Sequence, residues 1–349
     1  MDSFKRLQFI FKTIEECYPE LLHPESSTLF LNFFETIKLK NIILPNKIFY
    51  SPYKNQSSNA QKNGFESPRE ITKKFDSIII SIPKSREEAL GQIALAYQKT
   101  KHEGFIFIEG SKRFGIDGII RALSKKISVE SISSKAHGKI VMIKVNSRKK
   151  KTFPEWLEYN TPSKNKDGFF SMPGLFSHKK IDPASEFLAS IFDTQISGDV
   201  IDLGTGWGYL SSKLLSKCPM VKSITLIDHD HRAVDCSKKD IKSDKARFEW
   251  IDISEVREIG KKFDNAICNP PFHSNEGKSI TLGQSFITAA HENLNSKGCL
   301  LLVANIQLPY ENTIKKLIND FEIYSQNKYF KIILAKRPKR HYDRDTSNI

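Results

Sequence analysis

The tetrapeptide Asn269-Pro270-Pro271-Phe272 follows directly on the apolar run FDNAIC, residues 263–268, so it ends a buried strand. That pairing suits chemistry on a planar nitrogen. An exocyclic amine on a base is a poor nucleophile because its lone pair is delocalised into the ring. The Asn269 side-chain oxygen and the carbonyl that follows can accept both amine hydrogens, drawing the nitrogen towards tetrahedral geometry and aiming its lone pair at an electrophile. Pro270 and Pro271 fix the backbone so that this carbonyl points inward, and Phe272 offers a stacking face for a flipped base. No strong base is required, since the nitrogen loses its proton readily once it has reacted. His273 is open to two readings, a substrate contact or a loop histidine facing solvent.

A second site-forming pattern lies upstream, where DVIDL (199–203) runs into GTGWGYLSSKLL. A strand, a glycine turn and a helix N-terminus let a ligand approach the backbone while free N–H groups point at it. The turn reads Asp202-x-Gly204-x-Gly206-x-Gly208. A dinucleotide fingerprint would need glycine at 209, which is Tyr209, so the spacing favours another cofactor. Acid-x-G-x-G-x-G resembles the first motif of class I S-adenosylmethionine (SAM) methyltransferases, in which the glycines pack against the methionine part of the cofactor. Twenty residues after Gly208, Asp228 ends the strand SITLID, where a carboxylate can accept both ribose hydroxyls. His229 and Asp230 read as turn residues. Asp252 ends ARFEWID, where such enzymes place a polar group against the adenine amine; it also suits the N-cap of a SEVREIG helix.

These residues need strands to hold them at one edge of a sheet. Candidate strands at 199–203, 223–228, 246–252, 263–268 and 298–304 alternate with helix-period segments, the pattern of a mostly parallel sheet with helices on its faces. The first half repeats the plan. FDSIIISIPKS (75–85) aligns with FDNAICNPPFH (263–273), and GFIFIEG with its following IIRAL aligns with GCLLLVA and TIKKL. The separation is 188 residues from Phe75 to Phe263 and 194 from Gly104 to Gly298. Six extra residues therefore enter the second copy just after the tetrapeptide, in HSNEGKSITLG, where a loop could close over a substrate. The first copy has no counterpart of the glycine turn and carries Ser81-Ile82-Pro83-Lys84 where the second has Asn269 to Phe272. Its opening strand is ambiguous, with KIFYSP (47–52) the candidate. The polar stretch between Ser147 and Gly168 places the junction near 165, giving domains 1–165 and 166–349.

Composition bounds the rest. The 349 residues suffice for two cores, and 39% hydrophobic content with 24 Phe is globular. No apolar stretch approaches the ~20 residues of a membrane span, and MDSFKRLQFIFKTIEECYPE lacks a signal-peptide core. The five cysteines (Cys17, Cys218, Cys236, Cys268, Cys299) are scattered and never spaced C-x-x-C, so neither a metal site nor a disulfide framework is expected. They suit a reducing cytoplasm. Lys plus Arg total 54 against 40 Asp plus Glu, a net charge of +14; this excess attracts polyanions, though compositional drift in a lysine-rich genome would produce the same sum.

Taken together, these motifs resemble the family of bacterial ribosomal RNA small-subunit methyltransferase C and its large-subunit relative G, over most of the chain from about Phe75. The resemblance extends to MPGLFSHKKIDPASEFLASIF (172–192), PYENTIKKL and YFKIILAKR. It implies two tandem Rossmann-like class I methyltransferase domains, the first degenerate and assisting folding and RNA recognition, the second catalytic. It implies guanine-N2 methylation of rRNA, most directly 16S rRNA in the small subunit, by a cytoplasmic monomer using SAM. By the same likeness Gly174, Phe176 and Ser177 lie over the cofactor, and Asp182 and Ser185 begin a helix leading to the glycine turn; Ala184 stands where the family has glycine. The tetrapeptide also occurs in N6-adenine and protein-glutamine methyltransferases, so it sets the reaction type and leaves those substrates open. A non-catalytic RNA-binding assembly factor on a dead methyltransferase fold is the remaining alternative, and intact Asn269, Asp228 and glycine turn argue against it.

Overall fold

A computed structural model describes residues 2–33, 39, 42–146, 153–193, 196–271, 273–274, 277–278, 280–318 and 320–336, with side chains excluded at 273–278. The chain divides into two compact units, Met1–Pro162 with Met172–Gly174 and Ser163–Ser171 with Leu175–Ile349.

The first unit contains α1 (Asp2–Cys17), β1 (Thr28–Leu31), β2 (Lys47–Tyr50), α2 (Lys54–Lys62), β3 (Phe75–Ser81), α3 (Arg86–Lys99), β4 (Thr100–Ser111), α4 (Ile116–Ser124), β5 (Ser131–Lys135), β6 (Gly138–Lys144) and the short α5 (Pro154–Leu157). Its sheet runs β2-β1-β3-β4-β6-β5. The first four strands in that order are parallel, and β6 and β5 are antiparallel. Continuous apolar runs are what a sheet covered on both faces requires. Along β3, Ile78 and Ile80 enter the core on one face, and Ile79 joins Phe30, Phe49 and Phe107 on the other. The opening strand is TLFL, and KIFY is the second strand rather than the first.

The second unit begins with the two-residue strands β7 (Ser163–Lys164) and β8 (Phe170–Ser171), then α6 (Pro183–Ser190), β9 (Gly198–Leu203), α7 (Tyr209–Lys217), β10 (Val221–Asp228), α8 (His231–Asp240) and β11 (Ala246–Trp250). After these come β12 (Phe263–Cys268), the ribbon β13 (His273–Ser274) and β14 (Gly277–Lys278), α9 (Ile280–Asn293), β15 (Leu294–Asn305), α10 (Tyr310–Leu317), β16 (Asp320–Gln326) and β17 (Phe330–Lys336). The sheet order is β11-β10-β9-β12-β15-β17-β16. This is the order of the first sheet with one strand added beyond β10. In the first unit that place is held by a single parallel bridge from Ile48 to Glu66.

The duplication extends to individual hydrogen bonds and ion pairs. Asp76 Oδ2 accepts the Ser27 N–H at 2.8 Å, and Asp264 Oδ2 accepts the Asp199 N–H at 2.8 Å. Lys139 pairs with Asp117 at 2.7 Å, and Lys331 pairs with Glu311 at 2.5 Å. Helices α3 and α9 both have 14 residues and start 194 positions apart, so the six extra residues fall between β12 and α9. The helix claims ITLG, which shortens the expected loop. Likewise β11 stops at Trp250, two residues early, because SEVREI winds into a 3-10 turn (Ile253–Ile259) in place of an α-helix.

Candidate active site

Strand pairing brings the sequence-distant motifs into one row. In an open parallel sheet the crevice forms at the carboxyl ends of strands where the order reverses, here between β9 and β12. Cys268 is in register with Leu203, Leu203 with Ile227, and Asp228 with Trp250. The row at the strand ends therefore reads Asp252, two residues past β11, then Asp228, the glycine turn and Asn269.

Each glycine of the turn is left-handed, with φ of 72° at Gly204, 56° at Gly206 and 92° at Gly208, a region other L-residues enter at a cost. Their surroundings differ. A Cβ on Gly204 would lie 2.8 Å from the Phe286 ring and one on Gly208 2.8 Å from Ser237, whereas one on Gly206 would meet nothing within 4 Å. Two glycines thus serve packing and the middle one faces open space. Asp202 is fully buried beneath the turn. Its Oδ2 accepts from Thr205 Oγ1 at 2.8 Å and Ser211 Oγ at 2.6 Å, and Oδ1 has no hydrogen-bond partner. Burial pushes its pKa up to about 6 against the two hydroxyl bonds, which lower it.

Asp228 is held by backbone donors on both oxygens, Gly206 N–H to Oδ2 and Asp230 N–H to Oδ1, each 2.9 Å. Burial raises its pKa, opposed by the neighbouring His229 and by those backbone bonds. Each oxygen retains acceptor capacity on a carboxylate that the backbone has already oriented. Asp230 caps α8 and forms a buried ion pair with Arg232 at 2.7 Å. Asp252 caps the 3-10 turn through Ser254, N–H at 3.0 Å and Oγ at 2.6 Å, both to Oδ1.

At the end of β12, Asn269 Nδ2 donates to Asp182 Oδ2 at 2.8 Å and Ser185 Oγ at 2.9 Å. Because a carboxylate accepts and cannot offer an N–H, these bonds fix which way the amide lies and leave Oδ1 as the acceptor turned away from them. Asp182 also caps α6 by accepting the Ser185 N–H at 2.9 Å. The sequence marks Asp182 and Ser185 only as a helix start; their hold on Asn269, 87 and 84 residues away, carries no local signal. Pro270 is buried. Phe272 lies outside the described residues, and so does the side chain of His273.

Phe176 and Ser177 belong to the second unit. The Phe176 carbonyl accepts Trp207 Nε1–H at 3.0 Å while its ring is 63% exposed, and Ser177, with φ of 48°, donates its hydroxyl to Lys180 O at 2.9 Å. Trp207, between two of the glycines, thus ties the turn to this segment, a role that spacing did not indicate. Gly174 groups with the first unit, where a Cβ on it would lie 2.5 Å from the Glu88 carboxylate. Among the described residues no set of three His, Cys, Asp or Glu is placed to hold a metal ion, and no helix is long and apolar enough to cross a membrane.

Residues 167–334 match the model of the methyltransferase small domain, and 40–159 match that of its N-terminal domain. A ribosomal RNA small subunit methyltransferase C from Buchnera aphidicola subsp. Schizaphis graminum is 30% identical over 72% of this chain and 74% of its own. The protein of the same name from Psychromonas ingrahamii is 28% identical over 82% of both chains. A T. thermophilus 16S rRNA guanine-N2 methyltransferase, solved with AdoMet and guanosine, superimposes with a TM-score of 0.74 over 91% of both chains at 18% identity, a shared fold of two α/β methyltransferase domains. Matched along both halves and by a relative at 30% identity, the chain belongs to the ribosomal RNA small subunit methyltransferase C family.

Proposed function

We propose that this protein transfers a methyl group from SAM to the exocyclic N2 of a guanine in 16S rRNA, acting in the cytoplasm as a single chain without a metal ion. One observation carries the reading: the Asn269 amide is pinned through Nδ2 to Asp182 and Ser185, with Oδ1 left to accept, at the strand end beside the glycine turn. The relatives' names supply the substrate, because the amide geometry alone serves guanine, adenine or glutamine nitrogen.

The residues present fit SAM. Gly206 opens on space that a side chain would fill, Asp228 holds an oriented carboxylate for the ribose hydroxyls, and Asp202 keeps an unpartnered oxygen under the turn. When bound, SAM supplies an electrophilic methyl carbon. Phe176 and Ser177, tied to the turn through Trp207, lie on the cofactor's side of it, and Asp252, spending one oxygen on its cap, has the other for the adenine amine. Asn269 Oδ1 and the Pro270 carbonyl accept the two amine hydrogens, so the nitrogen lone pair is freed from the ring and aimed. Phe272 stacks on the base. The first unit, whose equivalent strand end carries Ser81, supports folding and RNA recognition.

Asn269→Ala removes the acceptor and leaves the turn untouched. Methyl transfer to 16S rRNA should fall at least about a hundredfold, in line with the loss of one preorganised polar group, while SAM affinity by calorimetry stays within twofold. Transfer at the normal rate would dismiss Asn269 from the chemistry.

A further inference from the structure

The stretches 163–171 and 175–181 of the second unit carry Lys164, Lys166, Lys179 and Lys180, all exposed, against one carboxylate, Asp167. One oxygen of that carboxylate is held by the backbone, Asp167 Oδ2 accepting the Ile181 N–H at 2.7 Å. The path of the backbone is fixed at several points. Asn165 Oδ1 accepts from Asp167 N–H at 3.0 Å and Phe169 N–H at 3.1 Å, Lys166 N–H donates to Lys179 O at 3.3 Å, and Phe170 N–H donates to Asp240 Oδ2 at 2.7 Å. The lysines therefore sit on a preorganised strap, not on a loose loop.

Aromatic rings are interleaved with this charge. Lys164 and Lys239 both lie over the Phe170 ring, at 5.7 and 5.4 Å from its centroid, and Phe169 packs against Trp207 and Tyr209. Lys164, Lys166 and Lys180 enter no ion pair among the described residues. Cations gathered on a fixed scaffold repel one another, and a polyanion laid along them relieves that repulsion. The Trp207 bond to Phe176 O joins the strap to the glycine turn, so a strand gripped here runs beside the reacting centre. Basic residues set beside aromatic ones are what holds single-stranded nucleic acid by phosphate contact and stacking.

We propose that this strap is the RNA-gripping edge of the catalytic unit, its four lysines meeting phosphates of the single-stranded segment that flanks the target guanine. The inference rests on the proposed function and adds the surface that recruits its substrate. It is tested by replacing Lys164, Lys166, Lys179 and Lys180 together with alanine, with a charge-matched control replacing Lys297, Lys315, Lys316 and Lys328. Binding to free 16S rRNA and to assembled small subunits is measured by filter retention without turnover across a salt series, alongside KM, SAM affinity and thermal unfolding.

For the strap variant the RNA affinity should fall at least about tenfold near 0.15 M salt. The slope of log affinity against log salt should become shallower by about 0.7 for each phosphate that the variant leaves unneutralised. SAM affinity and unfolding should match the wild type, and the control should stay within twofold. Wild-type affinity and slope in the strap variant, or an equal loss in the control, would overturn the proposal. So would a loss seen on assembled small subunits but not on free rRNA, which would assign the strap to a protein partner. A wild type that forms no N2-methylguanosine sinks the enzymatic reading, and filter retention on the same samples still judges the strap separately.

Discussion

Asp202 shows how one buried carboxylate couples the turn to its ligand. Burial lifts its pKa from 3.8 to about 6, so the folded protein holds that proton more tightly than the unfolded chain does. Its contribution to stability therefore falls as pH rises from about 4 to about 6, and a cation bound nearby offsets the cost of ionising it. SAM is such a cation. Its affinity should rise with pH up to about 6 and level off above, and Asp202→Asn should flatten the profile; calorimetry between pH 5 and 8 checks this, and a wild-type affinity constant over that range would contradict it. The three glycines separate in the same way. Gly206→Ala meets open space, so the fold should lose only about 1 kcal/mol to backbone strain while SAM binding is lost. Gly204→Ala and Gly208→Ala collide with Phe286 and Ser237 and should lower the melting temperature more; equal behaviour of all three would remove the special place of Gly206. Asn269, Asp228 and the turn were legible because each stands directly at the end of an apolar run. The grip of Asp182 on Asn269 was not, because it joins two elements 87 residues apart.

Among the elements, the first sheet records what the second has kept. By register, Asn32 stands where the second copy has Gly204, and it retains the left-handed backbone at φ 64°. Its side chain bonds Gln92, the counterpart of Phe286, at 2.5 Å, and the Ser81 carbonyl at 3.1 Å. Ser81, the counterpart of Asn269, donates its hydroxyl to Glu109, which is fully buried and paired with Arg6 of α1 at 2.6 Å. A hydrogen-bonded plug fills the position of the chemistry. Removing one partner of a buried ion pair strands the other charge, so Arg6→Ala should cost about 3 to 5 kcal/mol of stability in denaturant unfolding, with SAM affinity unchanged. A cost under about 1 kcal/mol would show the pair to be dispensable. The repeat could be read from Phe75 onward because β3 and β4 are long and carry continuous apolar runs. Upstream it could not: TLFL spans four residues, and the outer strand has shrunk to one bridge. The edge strand β16 escaped for another reason, since it is largely exposed and lacks an apolar run.

At the scale of the whole molecule, the net charge of +14 says little until it is located. Spread over two units it is compatible with compositional drift; gathered on a fixed strap beside the reacting centre it has a use. The same holds for length, which two copies of one fold account for, one plugged with polar side chains and one open. The reaction is defined by its target atom, N2 of guanine in the small-subunit RNA. It is tested most directly by incubating the protein with methyl-labelled SAM and, separately, small subunits, large subunits and free 16S rRNA, then digesting the RNA and the ribosomal proteins and identifying the labelled nucleoside or amino acid. The expected product is N2-methylguanosine, from 16S rRNA or small subunits and absent with Asn269→Ala. Label recovered as N6-methyladenosine, in glutamine of a ribosomal protein, or only from large subunits would contradict it.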